Sequence, residues 1–297
     1  MPLSHSPLDR TPLDRTPLDQ LPIRRLTSDD LPACADLSED RGWAREEHKW
    51  GLLLAAGVGY GIDDPAGKGL ATACVVTSYG PGLAAIGMVL VAERYARRGV
   101  GRRLMRHVLA EAGDTPLSLY ATANGQPLYE ELGFAEVGRS EMLKGRFTAT
   151  EPAPERAVRP ATAEDLQHVL RLDHEIFGAD RTHMITRLPA FADELRVAEQ
   201  DGKITGFGAI WPNMDTHVVG PLIARDLATA QALVTSLAAA TDRPLRTDVD
   251  AGHTGLVTWL KANGLERIAT TSIMIRSLPD LPGDGSRRFA PLTVAAG

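Results

Sequence analysis

The run Arg97-Arg98-Gly99-Val100-Gly101-Arg102-Arg103 has the residue types and spacing to hold an anion. Gly99 and Gly101 remove side chains where a main chain must approach a ligand, and the arginines supply positive charge. A helix starting at these glycines would present its first N–H groups, which have no partner inside the helix, together with its positive dipole end. A phosphate-bearing cofactor is the natural occupant of such a cradle. The competing reading is a tight connection whose glycines serve only the turn and whose arginines are a solvated face.

The flanking elements decide between the two. Leu83 to Val91 is an apolar stretch that predicts a strand. Val100, Leu104, Val108 and Ala112 recur every four residues, which predicts a helix with one stripe on a sheet and Arg102, Arg103 and Arg106 mostly off it. The glycine pair thus stands between a strand and a helix, the context in which it carries meaning. Further on, Leu119-Tyr-Ala-Thr-Ala-Asn-Gly-Gln-Pro-Leu-Tyr-Glu-Glu-Leu-Gly-Phe134 reads as a strand, a short helix bearing Leu128, Tyr129 and Leu132, and Gly133 as its left-handed cap.

With both segments in this order, the chain resembles the GNAT superfamily of acyl-CoA N-acyltransferases. The first is similar to that family's pyrophosphate motif, Gln/Arg-x-x-Gly-x-Gly/Ala after a strand, and the second to its Asn…Leu-Tyr-x-x-x-Gly-Phe motif. The resemblance implies that the main chain of Val89, Leu90 and Val91 holds the pantetheine arm and acyl group. It likewise implies that Arg97, Arg98, Gly99, Val100, Gly101 and Arg102 surround the pyrophosphate, with Asn124 near the pantetheine. Tyr129 would be the general acid for the leaving thiolate, and acetyl-CoA the donor. Ala96 departs from the family's usual Gln or Arg, and Glu93 from its frequent Pro. Main-chain N–H groups provide most of such a cradle, and Arg97 and Arg98 can supply the missing charge.

Transfer to an amine also needs a base, because a lysine-like amine has a reference pKa near 10.4. Glu46 and Glu47 in Gly42-Trp-Ala-Arg-Glu-Glu-His48 are the candidates, with Glu93 a third; a surface or helix-face role is the plainer reading of each. Tyr129, a phenol with reference pKa near 10, suits proton donation to a thiolate, against an alternative role as a core anchor. Trp43 and Trp50, with Arg45 and the glutamates, could line an acceptor pocket or simply form an amphipathic helix. From the second half, Asp173 and Arg181, and the pair Asp248 and Asp250, could close over the same cleft.

The chain repeats itself. Ile23-Arg-Arg-Leu-Thr-Ser-Asp-Asp-Leu31 recurs as Val158-Arg-Pro-Ala-Thr-Ala-Glu-Asp-Leu166, each a strand followed by a capping-box helix start. Leu128-Tyr-Glu-Glu-Leu-Gly-Phe134 aligns with Trp259-Leu-Lys-Ala-Asn-Gly-Leu265 at nearly the same spacing. The expected organisation is a proline-rich arm (1–20) with a five-residue repeat, an N-terminal catalytic domain (21–148), a linker (149–157) and a divergent C-terminal copy (158–297). The resemblance implies an α/β (α+β) class: two tandem GNAT-like domains, each a mixed, mainly antiparallel twisted sheet flanked by helices. In the second copy Val218 to Ala230 lacks Gly-x-Gly and Leu260 replaces the tyrosine, so acyl-CoA binding and catalysis are expected only in the first.

Composition narrows the rest. At 43% hydrophobic and 24% charged residues the chain is of ordinary globular type. A net charge of −6 argues against broad nucleic-acid binding. Only Cys34 and Cys74 are present, too few for a disulfide framework or a four-thiolate metal site, and the eight histidines show no ligand spacing, so no metal is expected. No apolar run approaches the roughly twenty residues that span a bilayer, and a cytoplasmic location fits. The resulting expectation is an N-acetyltransferase moving an acetyl group from acetyl-CoA to a primary amine of a small molecule by direct attack in a ternary complex. Two alternatives stay open: a larger acyl-CoA or an aminoacyl-tRNA as donor, or a non-catalytic acyl-CoA sensor. The oligomeric state is not readable.

Overall fold

The computed structural model describes residues 18, 20–150 and 156–297. The five-residue repeat thus falls outside the described residues except for Leu18 and Gln20, and so does the middle of the expected linker. The first half contains β1 (Arg24–Leu26), α1 (Leu31–Asp40), α2 (Glu47–Ala56), β2 (Val58–Asp63), β3 (Leu70–Ser78), β4 (Ala84–Val91), α3 (Val100–Ala112), β5 (Leu117–Ala121), α4 (Gln126–Glu131) and β6 (Ala135–Gly145). The second contains β7 (Ala157–Pro160), α5 (Leu166–Phe177), α6 (Thr182–Ile185), α7 (Leu188–Phe191), β8 (Glu194–Gln200), β9 (Lys203–Asn213) and β10 (Thr216–Ala224). It continues through α8 (Leu227–Ala238), β11 (Leu245–Asp250), α9 (Thr254–Ala262), β12 (Leu265–Arg276) and β13 (Arg288–Ala290).

The internal repeat appears as the same local device at the head of each half. Thr27 and Asp30 form a capping box, as do Thr162 and Asp165. In each, an arginine on the preceding strand grips the box carboxylate, Arg24 to Asp30 at 2.6 Å and Arg159 to Asp165 at 2.6 Å. The device closes each strand onto the helix that follows, because one carboxylate satisfies both the cap N–H and the arginine fork.

The strands form one continuous sheet in the order β1-β2-β3-β4-β5-β12-β6-β11-β10-β9-β8-β7. The final long strand of each half has crossed to the other: β12 pairs with β5, Ile273 opposite Tyr120, and β6 pairs with β11, Ser140 opposite Asp250. The two exchanged strands also pair with each other from Leu265↔Gly145 to Ile275↔Ala135. Neither half completes its sheet without the other. Helix α2 adds a second tie, with His48 stacked on Phe191 at 4.2 Å and within 2.7 Å of the Phe191 carbonyl oxygen.

Each half contains a parallel pair that splits. Strands β4 and β5 register only over Ala84–Ile86 against Leu117–Leu119, and β10 and β11 only over His217–Val219 against Leu245–Thr247. At β4 a bulge on the β3 side leaves Met88 and Val89 without registered partners, with Met88 at φ +53°. The second split is filled by the chain itself. Strand β13 pairs with β10 there, Leu222 opposite Ala290, and the Pro291 carbonyl closes on Gly220 where a Cβ would stand. Among the described residues no helix is long and apolar enough to cross a membrane, and no group of side chains has metal-ligand geometry. Cys34 and Cys74 are free and buried.

Candidate active site

The open split between β4 and β5 leads into a cleft of about 560 Å³ whose wall is the start of α3. The turn entering α3 has left-handed backbone at Arg97 (φ +58°) and at Gly99 (φ +81°), the helix N-cap. At Gly99 the conformation itself requires glycine, since nothing crowds its Cβ position. Gly101 is needed for the other reason: a Cβ there would lie 3.0 Å from Val91 Cγ2, so its absence lets α3 press against β4. The N–H groups of Val100, Gly101 and Arg102 have no acceptor among the described residues, and all three residues line the cleft. Such a row of helix N-terminal donors has the geometry and the dipole to hold an anion.

Of the residues expected here, Val89, Leu90, Val91, Arg97, Gly99, Val100, Gly101, Arg102 and Asn124 line the cleft. Arg98 does not. Its guanidinium lies over the Tyr95 ring at 5.6 Å, because Tyr95 is pinned by its hydroxyl to Asp64 and offers a fixed aromatic face. Arg102 reaches the cleft but also pairs with Glu131 of α4 at 2.5 Å, tying the two helices that flank the site. Leu90 turns its side chain into the core, and its carbonyl accepts the Thr72 hydroxyl at 2.6 Å. Val89 and Val91, half-buried, are the side chains that meet the cleft.

Tyr129 stands on α4 on the same cleft, only 7% exposed, its ring edge-on to Phe134 at 6.1 Å. Gly125 makes room for it, since a Cβ there would be 3.1 Å from the ring. The Tyr129 hydroxyl has no hydrogen-bond partner among the described residues. Burial pushes its phenol above the ordinary value, with the nearby Cys74 thiol adding to the shift, so it holds its proton at neutral pH. Gly133 at φ +86° ends α4, and the Phe134 N–H bonds the Tyr129 carbonyl at 3.0 Å.

The other expected residues lie elsewhere. Glu46 is buried between the halves: its carboxylate contacts the Lys49 ammonium, Arg246 Nη1 at 3.2 Å and Asn213 Nδ2 at 3.2 Å. Burial opposes its charge, but Lys49 and Arg246 outweigh that and hold the carboxyl below its usual value. Glu47 is an exposed partner of Arg45 at 2.9 Å, and Glu93 a surface partner of Arg41. None of these glutamates lines the cleft. Trp43 does, at its rim and 40% exposed, whereas Trp50 is core and donates its ring N–H to Ser38 Oγ at 2.9 Å. Asp173 and Arg181 form a buried bidentate pair at 2.7 to 3.0 Å, with the guanidinium over Phe177 at 4.1 Å; they do not line the cleft. Arg41, Tyr95 and Thr122 also line it. Only the position of Thr122 between β5 and the Asn124 motif was a signal for any of them; Arg41 arrives from the end of α1 by tertiary folding.

Comparison with known proteins gives two family matches: the Acetyltransferase (GNAT) family over residues 22–134 and an Acetyltransferase (GNAT) domain over residues 169–290. An uncharacterized N-acetyltransferase, YitH, of Bacillus subtilis (strain 168) is 28% identical over 238 residues, covering 78% of this chain and 83% of that protein. A Pyrococcus horikoshii protein, provisionally assigned as an acetyltransferase, superposes with a TM-score of 0.77 at 18% identity, covering 93% of this chain and 96% of that one. A tandem GNAT protein from the clavulanic acid biosynthesis pathway gives 0.65 at 13% identity, covering 88% of this chain and all 100% of its own. At these identities the solved structures speak to the fold.

Proposed function

The chain belongs to the GNAT acetyltransferase family and carries two of its domains in tandem; from that premise we propose that the β4–β5 cleft binds acetyl-CoA and that the acceptor is a primary amine of a small molecule. The observation that carries this reading is the row of N–H groups at Val100, Gly101 and Arg102 without acceptors among the described residues, set against a split strand pair with Tyr129 on the same cleft. Acetyl-CoA, when bound, supplies an acyl group activated as a thioester. The N–H row and the Arg97 and Arg102 charges suit its pyrophosphate, and the unpaired main chain at Met88 and Val89 suits its pantetheine arm.

In the reaction the amine nitrogen bonds to the acyl carbon as the carbon–sulfur bond breaks, the amine gives up a proton and the departing sulfur takes one. Tyr129 holds that second proton, on a hydroxyl with no competing partner among the described residues. The division of the chain that accompanies this reading is a catalytic unit over 21–148 and a companion over 158–297, with β6 and β12 exchanged between them. The companion's own split is occupied by β13, so one donor site per chain is expected.

Calorimetry with coenzyme A, together with thiol release from acetyl-CoA and a panel of amines, tests the proposal. One site per chain is the expected stoichiometry. Gly101→Val, forced against Val91, should weaken coenzyme A binding at least about tenfold, the loss of one hydrogen bond to a charged group. Absence of coenzyme A binding by the native chain would end the proposal.

A further inference from the structure

The exchanged strands create a surface that neither half owns. On β5, Leu117, Leu119 and Ala121 pack beneath α3, so Tyr120 faces the other way. On β11, Leu245 and Val249 enter the second core, so Arg246, Asp248 and Asp250 face away from it. Strand register puts these residues on one face, because directly opposed residues share a side: Tyr120 with Ile273, Thr271 with Ser140, Ser140 with Asp250. Helices α2 and α5 cover the wings of this face, but in its centre Tyr120, Thr271, Met142 and Asp250 are only half-buried and Ala269 is exposed. It adjoins the cleft, since Thr122, two residues on from Tyr120, lines the cleft wall.

The charges on this face are mostly used up. Glu46 pairs with Lys49 and Arg246, Arg246 also approaches Asp248 at 3.4 Å, and Asp173 is held by Arg181. Two opposite charges have no ionic partner among the described residues. The Asp250 carboxylate accepts only the Gly252 N–H, at 2.8 Å. The guanidinium of Arg288, at the start of the strand that fills the second split, donates among the described residues only to the Pro282 carbonyl, at 3.0 Å, and sits 5.8 Å over the Phe177 ring. Burial weighs against the Arg288 charge, and Arg181 adds to that; Tyr120 and Asp250 lie near enough to act the other way. The Tyr120 hydroxyl, its pKa pushed up to about 12 by burial, is protonated and has no partner among the described residues. An unspent anion, an unspent cation and a free hydroxyl on one half-open floor complement a molecule that bears an ammonium and a carboxylate.

We propose that the acceptor is a diamino acid, its carboxylate held by Arg288, its α-ammonium by Asp250, and its distal amine extended past the Tyr120 hydroxyl toward the β4–β5 split. The inference rests on the acyl-transfer reading above. The reacting amine is the distal one because β11 lies three strands from β5, about 14 Å at the usual spacing near 4.8 Å, too far for an amine held at Asp250 itself to reach the split. The distal nitrogen becomes the amide nitrogen, so the product keeps its carboxylate and α-ammonium.

The test compares L-lysine with cadaverine, which keeps both amines and lacks the carboxylate, on the native chain with acetyl-CoA. The expected kcat/KM is at least about tenfold higher for lysine, because a site built to pair a charged group rejects the analogue lacking it. In Arg288→Gln the preference should shrink to about threefold or less, with lysine losing activity and cadaverine nearly unchanged; Asp250→Asn should raise the KM for lysine about tenfold. Coenzyme A affinity, read by calorimetry, should stay the same in both variants. A native chain that uses cadaverine as well as lysine overturns the inference, as does one that binds coenzyme A and acetylates neither. Failure of coenzyme A to bind at all would instead strike the acyl-transfer reading. If Arg288→Gln does not fold, the native comparison and Asp250→Asn decide.

Discussion

Replacing Tyr129 with Phe isolates one atom. The ring stays, and with it the burial against the β4–β5 side of the core and the edge-on contact with Phe134 at 6.1 Å. The hydroxyl that leaves has no hydrogen bond among the described residues, so folding loses nothing it was using, and stability should change by less than about 0.5 kcal/mol. Coenzyme A affinity should also hold, since the donors that suit the pyrophosphate are main-chain groups on α3. What is lost is a protonated phenol on the cleft. A positioned general acid contributes roughly 10²–10⁴ in rate, about 2.7–5.4 kcal/mol of barrier, so kcat should fall by that factor with KM for acetyl-CoA nearly constant. Steady-state kinetics with a thiol reagent, beside a thermal melt and coenzyme A calorimetry, separate the three quantities. Because burial holds the phenol protonated above its ordinary value near 10, the native enzyme should show no alkaline loss of kcat from this group below about pH 10. A variant with native kcat, or one whose loss lies wholly in coenzyme A affinity, refutes the assignment.

Other perturbations address the frame. Glu46→Ala should destabilise the protein by about 3–5 kcal/mol, because it leaves Lys49 and Arg246 buried without their carboxylate. The neighbouring Glu47→Ala should cost less than about 0.5 kcal/mol, since its ion pair is at the surface; paired denaturant titrations check both. Asp165→Asn should cost about 1 kcal/mol at neutral pH, screening by solvent limiting the contribution because Arg159 is 41% exposed. The Arg159 fork holds the Asp165 carboxyl below its unfolded value, so this stability is present in full above about pH 4. It is lost as pH falls below that, and the native and variant melting curves should converge there.

Much of the cleft was legible in the residues because its parts are local. The backbone at Gly99, the packing of Gly101, the left-handed cap at Gly133 and the two capping boxes each depend on a few neighbouring residues, and periodicity placed α3 and α4 around them. Tyr129 follows from the same short segment. The duplication was readable for a similar reason, since the head of each half repeats the residues that build the arginine-gripped capping box.

The sequence by itself therefore determined the two-half organisation, the strand–glycine turn–helix cradle and the place of Tyr129 beside it. Only tertiary structure decided that β6 and β12 change places, that β13 fills the second split, and that Arg98 turns to Tyr95. It also sent Glu46 and Trp50 into the interior and locked Asp173 onto Arg181, away from the cleft. The reason is range. A turn or a helix start is governed by steric and hydrogen-bond demands within a few residues, whereas a charge or a strand takes its role from partners more than a hundred positions away, as Glu46 does from Arg246.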